Sequence, residues 1–242
     1  MIADFRLALG FLTRWPVSTP ATLPEGAMAR CMWAFPLVGG LIGSIIGAVY
    51  LLANHLWPAW PSALIALAAG MLLTFALHED GLADCADGFG GGRDKDRIIA
   101  IMRDSRIGAY GTLALIVSVL LKASIIVSFA NPAGALIIAH MMSRATLPIV
   151  MSMMPPASSG GLAAGFGTPP RWAAPVAIAS ALGVSFWLAP DRAAFCIIAA
   201  LIAGGAVALV ARRKIGGYSG DVLGAVQQCV ELAVLLAILA HP

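Results

Sequence analysis

Seven stretches of this chain, at about residues 33–57, 60–78, 111–130, 134–154, 172–190, 194–211 and 222–240, are apolar over nearly their whole length. Each approaches the ~20 residues that carry a helix across the hydrocarbon layer of a bilayer. The chain is 60% hydrophobic and only 11% charged, whereas soluble domains carry about 25% charged residues. Too few polar side chains remain to cover a water-facing surface of 242 residues. The expected fold class is therefore all-α, a polytopic integral membrane bundle of about seven transmembrane helices with interfacial helices. It reads as one domain over 1–242, with an interfacial segment at 1–30, an acidic catalytic loop at 79–110 and a second motif loop at 212–221.

The basic residues orient this map. Arg6, Arg14, Arg30, Arg93, Lys95, Arg97, Arg103, Arg106, Arg171, Arg212, Arg213 and Lys214 all fall on one side. The other side holds only Arg192, and Lys122 and Arg144 lie within apolar runs. Lys and Arg accumulate in cytoplasmic loops, so the N-terminus and both motif loops are expected in the cytoplasm, on the inner membrane. The apolar run at the N-terminus is broken by Arg14 and Pro16, and no small-residue cleavage site follows it. It reads as an amphipathic segment with Phe5, Leu9, Leu12 and Trp15 near lipid. A net charge of +3 without a basic stripe excludes nucleic acid as a partner. Cys31, Cys85, Cys196 and Cys229 are scattered, which argues against zinc or a disulfide framework.

Acid is concentrated where the second run ends. Seven of the twelve acidic residues lie between Glu79 and Asp104. Charge at a membrane boundary is costly unless it is hydrated, paired or metal-bound. Asp80, Asp84 and Asp87 recur at i, i+4 and i+7, which on a helix confines them to an arc of roughly 60°. Three carboxylates on one face repel one another unless a cation sits among them. Oxygen ligands favour Mg²⁺, with Mn²⁺ the alternative. Gly81, Ala83, Ala86 and Gly88 leave room for a bulky phosphorylated ligand. After them, Gly91 and Gly92 present backbone N–H groups suited to phosphate. Ile98, Ile101 and Met102 then recur at helical spacing, predicting a short amphipathic helix that Asp94 caps and Gly108 ends. Arg103 and Arg106 carry guanidinium forks that match phosphate oxygens.

A second polar constellation, Gly216-Gly217-Tyr218-Ser219-Gly220-Asp221, opens the last apolar run after Arg212-Arg213-Lys214. On the topology above it faces the same side as the acids. Ser219 or Asp221 is suited to cap the helix there. Within the apolar runs stand Lys122, His140, Arg144 and Glu231. An acid in mid-membrane normally faces a partner or a cavity. His140 and Arg144, four apart, share a helix face, and Lys122 is the partner suggested for Glu231. Gly39, Gly40, Gly43 and Gly47 give the first run a small-residue face for close helix packing.

Asp80-Gly81-Leu82-Ala83-Asp84, Asp87-Gly88, Gly91-Gly92 and the run Ile101-Met102-Arg103-Asp104-Ser105-Arg106-Ile107-Gly108 resemble the cobalamin synthase family of membrane transferases. The resemblance extends to Phe11-Leu12-Thr13-Arg14-Trp15-Pro16, to Phe35-Pro36-Leu37-Val38-Gly39 and to Gly216–Asp221. Cys85 and the pair Tyr218-Ser219 depart slightly from its usual pattern. The resemblance implies that α-ribazole, or its 5′-phosphate, attacks adenosylcobinamide-GDP and that GMP leaves. Asp80, Asp84 and Asp87 would then hold the metal. Asp84, Asp87, Glu79 and Asp104 are the catalytic candidates, with His78 a further candidate for the base. Gly91, Gly92, Arg103, Arg106, Lys214, Gly217 and Asp221 would contact substrate. The bilayer and other corrinoid-pathway enzymes are the expected further partners. A CDP-alcohol phosphotransferase-like enzyme is a second reading, weakened because the arginine of its acidic pattern is missing here. An ion-coupled transporter is a third, and no internal repeat supports it.

Overall fold

The computed structural model describes residues 1–18, 22–158 and 165–240. Residues 19–21 of the N-terminal segment lie outside the described residues. The helices in chain order are α1 (Ile2–Leu12), α2 (Ala27–Cys31), α3 (Phe35–Asn54), α4 (Ala59–Thr74), α5 (Leu77–Gly91), α6 (Lys95–Met102), α7 (Ala109–Val127), α8 (Ala133–Met153), α9 (Ala173–Leu188), α10 (Ala193–Ile215) and α11 (Gly220–Leu239). A 3₁₀ turn, Met32–Ala34, joins α2 to α3. Among the described residues there is no strand, only an isolated bridge between Pro156 and Tyr218.

Every apolar run is helical, but the number able to span differs from the seven expected. Among the described residues, five helical stretches are long and apolar enough to cross a membrane: Ala27–Asn54, Ala109–Val127, Ala133–Met153, Ala193–Ile215 and Gly220–Leu239. The count becomes six if α4 and α5 are one span bent by 92°. Helix α9, at 16 residues, is apolar but short.

The bend after Thr74 comes from two consecutive non-glycine residues in the left-handed region, Phe75 (φ 56°) and Ala76 (φ 51°). Such residues each cost roughly 1–2 kcal/mol, so neighbouring contacts must hold them. Arg14 supplies two. Its backbone N–H donates to Leu73 O at 2.7 Å, and its guanidinium lies 4.0 Å over the Phe75 ring. Helix α1 is itself fastened to the bundle by Asp4, which accepts from Arg30 Nε at 3.0 Å and from the indole of Trp33 at 3.4 Å. Leu12, expected near lipid, is instead buried in the core, while Trp15 stays exposed.

Glycines set the central helix pair. A β-carbon on Gly43 would stand 2.6 Å from Leu136 O, and one on Gly47 3.0 Å from Ala133 Cα. On Gly39 it would collide with His140 O. The partner numbers fall as the glycine numbers rise, so α3 and α8 are antiparallel with backbones in contact. The N-terminal end of α3 and the C-terminal part of α8 therefore share one end of the bundle.

Candidate active site at the contact of α5 and α11

The acidic stretch read as a loop is helix for most of its length. Asp80 N–H donates to Ala76 O at 2.9 Å, starting the ladder of α5, and Glu79 and Asp80 in its first turn complement the helix dipole. Gly81 then lets the helix touch α11 backbone to backbone. A β-carbon there would lie 2.8 Å from Asp221 O and 3.1 Å from Gly224 Cα. This contact brings Asp221 within electrostatic reach of Asp80 and Asp84, although some 130 residues separate the two motifs. Helix α5 lies past the bend and outside the five spans. On it, partial burial first, and then the charges of Asp80, Asp221 and Asp87, push the Asp84 carboxyl up to about 7.

Asp87 faces elsewhere. Its carboxylate accepts the backbone N–H of Gly108 at 2.7 Å and of Gly111 at 2.9 Å, capping the N-terminus of α7. Two donors left orphaned at a helix start are thereby satisfied. A β-carbon on Gly108 or Gly111 would collide with this carboxylate. Both oxygens of Asp87 are thus already engaged by α7.

The glycines that follow are packing positions. Gly91 closes α5 and the Gly92 N–H donates to Gly88 O at 2.9 Å, so that donor is committed to the helix end and is not free for phosphate. Met102 approaches Gly88, the Tyr110 ring covers Gly90, and Ile98 fills the space beside Gly92. Asp94 caps α6 through the Arg97 N–H at 2.9 Å, as expected. The helix ends at Met102 rather than near Gly108, which instead is the N-cap of α7.

Asp104 and Arg106 hold each other. Arg106 donates Nη2 to Asp104 Oδ2 at 2.7 Å and Nε and its backbone N–H to Oδ1 at 3.1 Å each. These bonds lower the Asp104 carboxyl to about 2, far from the range in which a general base works best. Arg103 is exposed and within electrostatic reach of Asp221. Lys214 donates to Phe89 O at 2.6 Å, tying the end of α10 to the end of α5. Gly217 permits a close approach to the 155–157 segment. Tyr218 N–H donates to Pro155 O at 3.0 Å, and Ala157 N–H donates to Tyr218 O at 2.8 Å. A side chain at Gly217 would collide with Pro155 O. Ser219 is the cap of α11, accepting from Val222 N–H at 3.2 Å.

Glu79 points away from the other acids, into the bundle. Its Oε1 accepts from Gln228 Nε2 at 3.0 Å, and its buried Oε2 makes no hydrogen bond. Gln228 Oε1 accepts from Lys122 at 2.7 Å, and Lys122 pairs with Glu231 at 2.6 Å. The other oxygen of Glu231 faces His140 Nδ1 at 3.2 Å and Arg144 at 3.5 Å. The Lys122–Glu231 pair and the shared face of His140 and Arg144 match the sequence expectation. Gln227 and Gln228 were missed. Two adjacent amides in an apolar run were the available signal, because polar side chains in spans bond across helices.

Beside Asp80 and Asp221 lies a pocket of about 170 Å³, lined also by His78, Leu77, Leu147, Leu223 and three phenylalanines. The acids near it are oxygen donors that repel one another, the donor chemistry of a hard divalent cation. Among the described residues no group of three or more His, Cys, Asp or Glu side chains is drawn together as a ready ligand sphere.

The fold and the site define an all-helical, multi-pass membrane protein with carboxylates gathered at one end of its bundle. The chain belongs to the Cobalamin-5-phosphate synthase family, whose model matches residues 4–239. It is 46% identical over 98% of its length to an adenosylcobinamide-GDP ribazoletransferase of Bradyrhizobium diazoefficiens, covering 93% of that protein. Proteins with the same name from Mesorhizobium japonicum and Azorhizobium caulinodans are each 40% identical. The chain aligns over 98% and 100% of its length with these, covering 92% and 97% of theirs. No solved structure matches it.

Proposed function

We propose that this enzyme transfers the adenosylcobinamide-phosphate moiety of adenosylcobinamide-GDP to the hydroxyl of α-ribazole or of its 5′-phosphate. A bond forms between that hydroxyl oxygen and the corrinoid-proximal phosphorus. The pyrophosphate P–O bond breaks, GMP leaves with the bridging oxygen, and the hydroxyl proton passes to a base. The observation that carries this reading is the contact of Gly81 with Asp221, which brings Asp80 and Asp221 beside one pocket, with Asp84 within electrostatic reach of both.

Phosphoryl-type transfer needs positioning and neutralisation of charge more than covalent help from the protein. Asp80, Asp84 and Asp221 would hold Mg²⁺, with Mn²⁺ the alternative, and the ion would neutralise phosphate charge there. Asp87 gives way to Asp221 in this set because α7 already engages its carboxylate. Exposed Arg103 is suited to phosphate oxygens, and Arg106 joins it only on leaving Asp104. His78 lines the same pocket as Asp80 and Asp221. With Asp104 held by Arg106 and Glu79 turned inward, the groups left beside the pocket to take the proton are His78, whose burial lowers its basicity, and whichever of the two carboxylates is not engaged by the ion. The basic-residue asymmetry and the nucleotide substrate both support a cytoplasmic orientation for this end of the bundle and an inner-membrane location for the protein.

The test is direct. Purified protein in liposomes receives adenosylcobinamide-GDP, α-ribazole and Mg²⁺, and GMP and corrinoid product are followed. Equimolar formation of both, lost on chelation and restored by Mg²⁺, is expected. Absence of GMP release with every divalent metal tried would refute the reading.

A further inference from the structure

The pocket beside the acids is asymmetric. Asp80 is exposed and Asp221 half-buried, whereas Phe35 and Phe166 are buried. It therefore runs from a wet acidic side to an apolar floor. Phe11 stacks on Phe35 with centroids 6.0 Å apart and planes at 17°, and meets Phe166 edge-on at 5.0 Å and 80°. Both arrangements are ones that aromatic rings prefer, so the walls are already ordered to receive another ring.

Size narrows the ligand. An apolar cavity of about 150 Å³ takes a benzene-sized molecule. At about 170 Å³ and open to the acids, this pocket takes one small aromatic system and excludes a macrocycle. Polarity narrows it again. Among the described residues, only His78 adds a polar side chain to the two acids in the lining. A guanine ring carries donors and acceptors around most of its edge, and burying them unpaired costs about 1–3 kcal/mol each. A benzimidazole-type ring has a single acceptor nitrogen on its edge and so leaves at most one such group to be paired.

Resting on the reaction proposed above, the geometry points to this pocket as the seat of the aromatic base of the nucleoside acceptor. An uncharged benzimidazole-type ring lies among Phe11, Phe35, Phe166 and Leu147, and its ribose hydroxyls face Asp80 and Asp221. The corrinoid and guanine parts of the other substrate stay outside.

Steady-state kinetics of the full chain in liposomes test this with Leu147→Trp, which fills the pocket, and with Phe11→Ala, which opens it at a half-buried position. In both, the KM for α-ribazole should rise by about tenfold or more, as pocket contacts of this size discriminate, while the KM for adenosylcobinamide-GDP stays near that of the parent. A rise confined to the GDP substrate, or no rise in either, overturns the assignment. Should Leu147→Trp fail to fold, Phe11→Trp fills the pocket from its other wall. If the parent protein releases no GMP, the reaction fails but the pocket is still decided by calorimetric titration with α-ribazole. Binding to the parent and not to the filled variant supports the pocket, and equal binding or none refutes it.

Discussion

Gly81 on α5 faces Asp221 on α11 so closely that a β-carbon would stand 2.8 Å from the Asp221 carbonyl oxygen. Gly224 answers from the other side, where a β-carbon would lie 3.2 Å from His78 O. Neither neighbour is a flexible side-chain end, so any larger residue must push the two helices apart. Displacing reacting groups by about 1 Å costs on the order of 10²-fold in rate. Gly81→Ala and Gly224→Ala are therefore expected to lower kcat by about 10-fold to 10²-fold. Gly134→Ala, where a β-carbon meets nothing within 4 Å, should leave it unchanged. Turnover of the three purified variants checks the contrast, and equal rates would remove the contact from the account.

Asp84 and Asp87 are neighbours on one helix with different work, and two substitutions separate them. Asp87→Ala strips the cap from α7, leaving the N–H groups of Gly108 and Gly111 unpaired. Removal of a helix cap typically costs about 0.5–2 kcal/mol, so its Tm should fall. Asp84→Asn relieves like-charge repulsion and should melt at or above the parent temperature while losing turnover. A destabilised Asp84→Asn, or an Asp87→Ala of parental stability, contradicts the division.

How far the chain could be read in advance depended on sequence separation. The helical character of each apolar run, the glycine face of α3, the cap at Asp94 and the helix through Asp80 and Asp84 follow from local composition and spacing. The bend after Thr74 does not, because Phe75 and Ala76 carry no glycine or proline signal for a left-handed backbone. Without the bend, the stretch after the second apolar run reads as a loop that carries the helically spaced acids, not as a helix folded back on the bundle. The turn of Asp87 toward α7 was equally hidden, since its partners lie 21 and 24 residues away. Glu79 was partly legible. One residue before Asp80 it sits about 100° round the helix, off the acidic face, but only Gln228 shows where it goes.

Asp104 offers a sharper test of the catalytic roles. Its carboxylate is committed to Arg106 at the exposed end of α6, and the carboxyl is held near 2. Asp104→Asn should therefore keep kcat within about threefold of the parent, since a true general base contributes about 10² or more. A loss of 10²-fold or more at saturating substrate would return Asp104 to the chemistry.

Glu231 carries the largest expected effect on stability. It stands within α11, where its two oxygens face Lys122 at 2.6 Å and His140 and Arg144 at 3.2 and 3.5 Å. Lys122, Arg144 and Glu231 are almost fully buried. Glu231→Gln keeps the shape and removes the charge, leaving two buried cations without it. Breaking a buried pair in this way costs about 3–5 kcal/mol, because the stranded charge remains desolvated. The variant should melt well below the parent in detergent. Adding Lys122→Met removes one stranded cation and should recover part of the loss, although it deletes a further hydrogen bond, to Gln228. Gln228 also connects the cluster to Glu79, so the double variant should loosen the start of α5, seen as faster amide exchange at residues 77–80. A single variant that melts with the parent, or a double variant less stable than the single one, would show that the cluster is not held by its charges.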